Sequence, residues 1–227
     1  MLKTYIYLDN NKKYSINNNV LFDVVIKLEE ILKQLSVGTI NETKNKITDI
    51  IIMMSHIIDE NNKNLLEINS ELKNLKKYPS TEHKHEKKFS DGIYIGPYID
   101  NKKEGKGIYK YYNGKIYEGE YKNDLRNGIG ICHYIDGYVY NGEWKNDKKH
   151  GKGILYYPNG EIYVGNFEDG NFEGLGIYYY YNKEIFIGSF KNNKREGYGI
   201  NITKDNTVIF GKYSKNKVKK SLYANIW

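Results

Sequence analysis

The 227-residue sequence has one cysteine, three prolines and no long apolar run. Each shortage removes a class of protein. Cys132 has no partner for a disulfide framework, and a reducing compartment is the expectation. Three prolines beside 22 glycines exclude a collagen-like chain. The longest apolar run, Ile50 to Met54, is too short to cross a bilayer as a helix. Met1 to Asn10 lacks the basic start and apolar stretch of a secretory leader, so the sequons at Asn41 and Asn201 are expected to stay unmodified. Apolar residues make up 39% of the chain, which is little for one large core. The formal charge of +7 is unevenly spread. Residues 1–88 hold 14 basic and 12 acidic side chains, residues 89–205 hold 16 of each, and five lysines without an acid run from Lys212 to Lys220. The total therefore implies no polyanion partner, because the middle is neutral and most of the excess sits in the tail.

Glycine is scarce at first and then abundant. Gly38 alone precedes Gly92, and 20 of the 24 tyrosines follow residue 89. In this second part, aromatic-x-Gly-x-aromatic recurs every 23 residues. The copies are Tyr94-Gly96-Tyr98, Tyr117-Gly119-Tyr121, Tyr140-Gly142-Trp144, Tyr163-Gly165-Phe167 and Phe186-Gly188-Phe190, with a partial sixth at Ile209, Gly211 and Tyr213. A Gly-x-Gly pair and an isoleucine follow at a fixed offset, as in Gly151, Gly153 and Ile154. Five units in phase make a repeat array.

Each unit also carries a turn pair: Asn113-Gly114, Asp136-Gly137, Asn159-Gly160, and the weaker Asn182-Lys183 and Asp205-Asn206. Such pairs tolerate positive φ and suit two-residue type I′ turns, so each unit reads as a β-hairpin. That turn sets His133 opposite Tyr140 and Ile131 opposite Gly142, placing Ile131, Tyr140, Gly142 and Trp144 on one face. Tyr111, Tyr134, Tyr157 and Tyr180 then form an exposed stripe on the other face, a candidate protein-binding surface. One hairpin cannot bury its own face, so copies must stack into an elongated, single-layer antiparallel sheet. In the connecting loops, Lys103, Arg126, Lys149, Phe172 and Arg195 share one position. The four cations predict either a basic rim for anionic lipid or an acidic partner, or a solvated face neutralised by Glu104, Asp124, Asp147 and Glu196. Lys215, Lys217, Lys219 and Lys220 extend this basic character into the tail.

These residues resemble the MORN repeat. The stretch from Tyr140 through Gly153, with its Tyr-x-Gly-x-Trp and Gly-x-Gly, is close to an ideal copy, and the resemblance covers residues 94 to 213. On it, Tyr94, Gly96, Tyr117, Gly119, Tyr140, Gly142, Trp144, Tyr163, Gly165, Phe186 and Gly188 are structural repeat positions. Unit four departs at Gly170 and Phe172, and unit five lacks both turn glycines. The resemblance implies an extended β array used as a non-catalytic scaffold, binding proteins at membrane or cytoskeletal structures, with anionic phospholipid as the alternative ligand. A cytoplasmic location follows as an expectation.

The first part reads differently. Residues 3–16 suit a small hairpin around Asp9-Asn10-Asn11. Leu21, Val25, Leu28, Leu32 and Leu35 have helical spacing, as do Ile47, Ile51, Met54, Ile58, Asn61, Leu65, Ile68, Leu72 and Leu75. Three readings stand open: an antiparallel helix pair within the chain, a coiled coil that makes a homodimer through residues 20–77 with Asn61 fixing register, or disorder. The expected division is 1–77 hairpin and helices, 78–88 linker, 89–213 repeats, and 214–227 a basic tail. In that tail Val218, Leu222, Tyr223, Ile226 and Trp227 predict a short capping helix.

Chemistry is not legible. The Gly-x-Gly pairs lack the Gly-Lys-Ser/Thr of a phosphate loop. His83-Lys84-His85-Glu86 has no companion ligands, so no metal or cofactor is expected. Cys132 and His133 are strand neighbours that point to opposite faces, which denies the thiol its base. Nucleic acid is not an expected partner, since no RNA-binding motif accompanies the Tyr and Lys mixture.

Overall fold

The computed structural model describes Thr4–Leu8, Lys12–Ile16 and residues 86–205 and 207–225. It divides into two compact units, Met1–Thr81 and Glu82–Trp227. In the first, β1 (Thr4–Leu8) and β2 (Lys12–Ile16) pair antiparallel, with Thr4 opposite Ile16 and Leu8 opposite Lys12. This is the hairpin expected around Asp9-Asn10-Asn11. The helices expected between Val20 and Leu75 lie outside the described residues.

The described residues of the second unit form β-strands and the turns between them. Its strands are β3 (Glu86–Lys88), β4 (Gly92–Ile95), β5 (Tyr98–Ile99), β6 (Lys102–Lys103), β7 (Gly105–Tyr111), β8 (Ile116–Lys122), β9 (Leu125–His133), β10 (Val139–Lys145), β11 (Lys148–Tyr156), β12 (Ile162–Glu168), β13 (Asn171–Tyr179), β14 (Ile185–Lys191), β15 (Lys194–Ile202), β16 (Thr207–Ser214) and β17 (Lys217–Asn225). All but β5 and β6 form one 13-stranded antiparallel sheet in which sequence neighbours are spatial neighbours; β5 and β6 pair with each other. At about 4.8 Å per strand the sheet extends roughly 60 Å across its strands. The expected linker ends inside it, because Glu86–Lys88 pairs with β4 as the edge strand β3.

Two kinds of turn alternate along the sheet, and one corrects the expected register. At the Asp136-Gly137 end, the Gly137 N–H donates to the Tyr134 carbonyl at 3.1 Å and the Tyr134 N–H to the Tyr138 carbonyl at 2.9 Å. Gly137 has φ +87°. This is a three-residue loop closed by a glycine with left-handed backbone, not a two-residue type I′ turn. Type I′ geometry occurs at the other end, at Asn146-Asp147 with φ values of 48° and 66°. The extra loop residue shifts every pair by one: His133 faces Val139, Cys132 faces Tyr140, and Gly130 faces Gly142. A one-residue shift moves a whole strand to the other face. Ile131 therefore leaves the face of Tyr140 and Trp144 and joins Ile154, Ile177 and Ile200 on an aliphatic face, where all four are buried.

Both glycines of the Gly-x-Gly pair have separate reasons. Gly151 has φ +54° beside a β-bulge, where the register slips between Gly142 and Glu143. Gly153 faces Gly142 so closely that a Cβ on Gly142 would stand 2.5 Å from the Gly153 Cα and 2.6 Å from the Tyr140 hydroxyl. The missing side chains let the Tyr140 ring lie flat across two strands.

The tail is not helical. Residues 217–225 form β17, turned back on β16 at Lys215-Asn216, whose φ values of 49° and 70° repeat the type I′ turn. The i, i+4 spacing of Val218 and Leu222 suits a helix, whereas in the strand a register slip sets Val218 opposite Tyr213 and Leu222 opposite Phe210. The open edge of β16 decides between them.

Candidate partner-binding face

Each repeat places two aromatic rings on the same sheet face, two residues either side of a glycine. Successive repeats bring them into one file: Tyr94, Tyr121, Tyr117, Trp144, Tyr140, Phe167, Tyr163, Phe190, Phe186 and Tyr213. Every neighbouring pair is edge-to-face, with centroids 4.9–5.3 Å apart. Edge-to-face contacts set the positive ring edge against the negative ring face and contribute about 0.5–1.5 kcal/mol each. Hydroxyls fix the first ring of the first four repeats. Tyr94, Tyr117, Tyr140 and Tyr163 donate to the carbonyls of Pro97, Glu120, Glu143 and Asn166 at 2.8–3.0 Å. Trp144 Nε1 donates to the Gly130 carbonyl at 3.0 Å. The ten rings are buried and act as a spine.

The cations expected on a loop rim lie on this spine instead. The connecting loops are two-residue turns, so Lys103 falls in β6, Arg126 in β9, Lys149 in β11 and Arg195 in β15. Arg126 sits 4.2 Å from the Trp144 ring centroid. Lys149 lies 5.6 Å from both Tyr140 and Phe167, and Arg195 is 5.2 Å from Phe186 and 5.1 Å from Tyr213. Lys103 spans Phe89, Tyr109 and Tyr121 at 5.0–5.7 Å. These are cation–π distances. Phe172, at the same position, stacks on Tyr163 at 3.6 Å and 13°. All five side chains cover a ring, which is why a phenylalanine can stand among four cations. Asp147 holds Arg126 by a 2.8 Å ion pair, and burial pushes the Lys149 ammonium below its ordinary pKa.

Tyr111, Tyr134, Tyr157 and Tyr180 are the second correction of placement. The register shift brings them to the ring face, where they are half-buried along the side of the spine nearest the three-residue loops. Tyr111 packs on Tyr109 at 4.4 Å, Tyr180 on Tyr178 at 4.5 Å, and Tyr157 lies between Tyr138 and Tyr178 at 5.1 and 5.8 Å. Lys115 stands 4.1 Å from the Tyr111 ring and 5.9 Å from that of Tyr134. Tyr109 and Tyr178, which share a repeat position with Cys132 and Leu155, escaped the sequence reading; their signal was the two-residue spacing from Tyr111 and Tyr180, which puts each pair on one strand face. In the tail, Lys215, Lys217 and Lys219 are exposed on the last turn and β17.

The face offers ring surface, cations and phenol hydroxyls. Burial raises the pKa of Tyr111, Tyr134, Tyr157 and Tyr180, so all four are neutral at ordinary pH. Burial likewise raises the Cys132 thiol, and His133 projects from the opposite face. Among the described residues no group of three His, Cys, Asp or Glu could hold a metal ion.

The family model described as MORN repeat matches residues 94–116, 117–137, 140–162, 163–184 and 186–200. Each match begins at the first ring of a repeat. No curated protein matches the chain. MORN repeats occur in scaffold proteins that bind membranes or other proteins, and the family is generally non-catalytic.

Proposed function

The chain is a member of the MORN-repeat family through residues 94–200, and on that premise we propose that it is a scaffold whose ring face binds a protein partner. The observation that carries this is the half-buried row Tyr111, Tyr134, Tyr157 and Tyr180 beside a buried ring spine. Tyrosines in this setting present large, stiff, amphipathic surface at little cost in side-chain entropy, which suits protein recognition. The spine beneath keeps the row in place before a partner arrives. Cytoskeletal or membrane-associated structures in the cytoplasm are the proposed setting, as for other scaffolds of this family.

The test is a Tyr134→Ser, Tyr157→Ser, Tyr180→Ser variant compared with the natural chain in quantitative co-purification from cells. A melting curve shows whether the variant remains folded. Partners retained by the natural protein are expected to fall at least tenfold. An unchanged set on a folded variant would sink the assignment of this face. The alternative ligand, anionic lipid, draws support from the exposed Lys215, Lys217 and Lys219 rather than from a basic rim, since Lys103, Arg126, Lys149 and Arg195 lie against rings.

A further inference from the structure

The type I′ turns are tied to the preceding repeat by a bonding pattern that recurs at five junctions and is stripped at one. At each, the second turn residue donates its N–H to a carbonyl one repeat back. Asp124 donates to Lys103, Asp147 to Arg126, Gly170 to Lys149, Asn193 to Phe172 and Asn216 to Arg195, at 2.8–3.2 Å. At four junctions the side-chain oxygen of that turn residue returns the contact. It accepts the N–H of Lys103, Arg126, Phe172 or Arg195 at 2.7–3.0 Å. At three, a glutamate also caps the first turn residue: Glu104 accepts from Asn123, Glu173 from Asn192 and Glu196 from Lys215, at 2.9–3.1 Å.

The third junction has neither cap. Gly170 has no side chain to offer Lys149, and His150 occupies the glutamate position facing Asp169. The backbones are nonetheless in the same relation, because Gly170 still donates to the Lys149 carbonyl at 2.8 Å. The Lys149 N–H thus lacks the oxygen that all four of its counterparts receive, and the Asp169 N–H lacks the one that Asn123, Asn192 and Lys215 receive. Beside them opens a notch of about 210 Å³ lined by Lys145, Asn146, Lys148, His150, Glu168 and Asp169.

We propose that this notch is a docking point for a carboxylate, an Asp or Glu side chain of a protein partner, which supplies in trans the oxygen that Gly170 withholds. The four sister junctions show that a carboxylate or carboxamide oxygen fits the geometry. A Cβ built on Gly170 meets no atom within 4 Å, so the approach is open. Lys145 is exposed at the mouth, and Lys148, 3.1 Å from Asp169, adds a second ammonium. Charge-assisted bonds from such donors to a carboxylate are among the stronger ones. Glu168 and Asp169, which also line the notch, repel a dianion more than a monoanion, which favours carboxylate over phosphate. The inference is independent of the ring-face assignment, since the notch lies at the turns.

The experiment uses the full chain labelled with ¹⁵N. The probe is the capped peptide acetyl-Glu-Glu-Glu-amide, with the tri-glutamine peptide and inorganic phosphate as comparisons. Saturable shifts of the Lys149 and Asp169 amides are expected with the glutamate peptide, at least tenfold more weakly with the other two. Gly170→Asp supplies Lys149 with an oxygen in cis, as Asp124 and Asp147 do for Lys103 and Arg126, and is expected to lose the response. No shift at these two amides, equal shifts in Gly170→Asp, or tighter binding of phosphate each overturns the proposal.

Discussion

His133 shows how much one residue can owe to its face. The strand alternation that points Cys132 into the ring face points His133 into the aliphatic one, opposite Ile116 and Val139. Its Nδ1 is buried without a hydrogen-bond partner, and burial lowers the imidazole pKa from 6.5 to about 4. Charging this ring in place costs desolvation, so the folded state keeps it neutral where the unfolded state protonates it. Between pH 6.5 and 4 the unfolded chain holds more protons, so this contribution is complete above pH 6.5 and is lost as pH falls. A shift of this size corresponds to a loss of stability on the order of 3 kcal/mol by pH 4. Urea unfolding at pH 7.5, 5.5 and 4.5 should show the natural protein losing more stability on acidification than His133→Leu. Parallel pH curves for the two would remove His133 as the cause. Asn141, buried on the same face with neither side-chain atom bonded, has no titrating form and adds no such pH dependence.

At the scale of elements, the turns decide more than the strands do. Gly170 occupies a position where Asp124, Asp147, Asn193 and Asn216 adopt φ of 63–73°. Gly170→Asn therefore enters a conformation that Asn tolerates, with open space for its side chain and a free N–H on Lys149 to cap. A hydrogen bond of about 1 kcal/mol, with a further gain from restricting the unfolded chain, predicts a melting temperature higher by roughly 2–4 °C. Scanning calorimetry checks this, and an unchanged or lower midpoint contradicts the cap geometry. The same turns explain what the sequence could and could not reveal. Period, hairpins, the glycine-backed rings and the shared position of Lys103, Arg126, Lys149, Phe172 and Arg195 were legible, because each is a local pattern repeated five times. Register was not. Asp136-Gly137 suits a two-residue turn and also the last two places of a three-residue loop, and one residue of difference exchanges the two faces. A two-residue turn thus sends Tyr134 to the wrong side of the sheet, although Tyr140 and Trp144 share a face in either register. The placement of Arg126 and Lys149 on rings depended on the type I′ geometry at Asn123-Asp124 and Asn146-Asp147, which only a fixed register reveals.

For the repeat array as a whole, the consequence is nearest-neighbour stability. Each sheet strand pairs only with its neighbours in the strand order, and each ring contact of the spine stays within a repeat or joins adjacent ones. Perturbation at one end should therefore fade within about one repeat rather than spread through the array. Deleting residues 217–227 removes β17, which pairs with β16 from Thr207 to Ser214, and leaves β16 as a bare edge. Amide exchange measured by mass spectrometry is expected to quicken in β15 and β16 and to stay unchanged in β7 to β11. The deletion also removes Lys217 and Lys219, exposed charges that discourage pairing of the edge with another chain. Exchange is accordingly measured at low micromolar concentration, with the mass in solution recorded beside it. A uniform rise from β7 to β16 in a monomeric sample would mean that the array opens as one cooperative body, and the nearest-neighbour account would fail. Protection unchanged even in β16 would mean that β17 adds nothing to the sheet it extends.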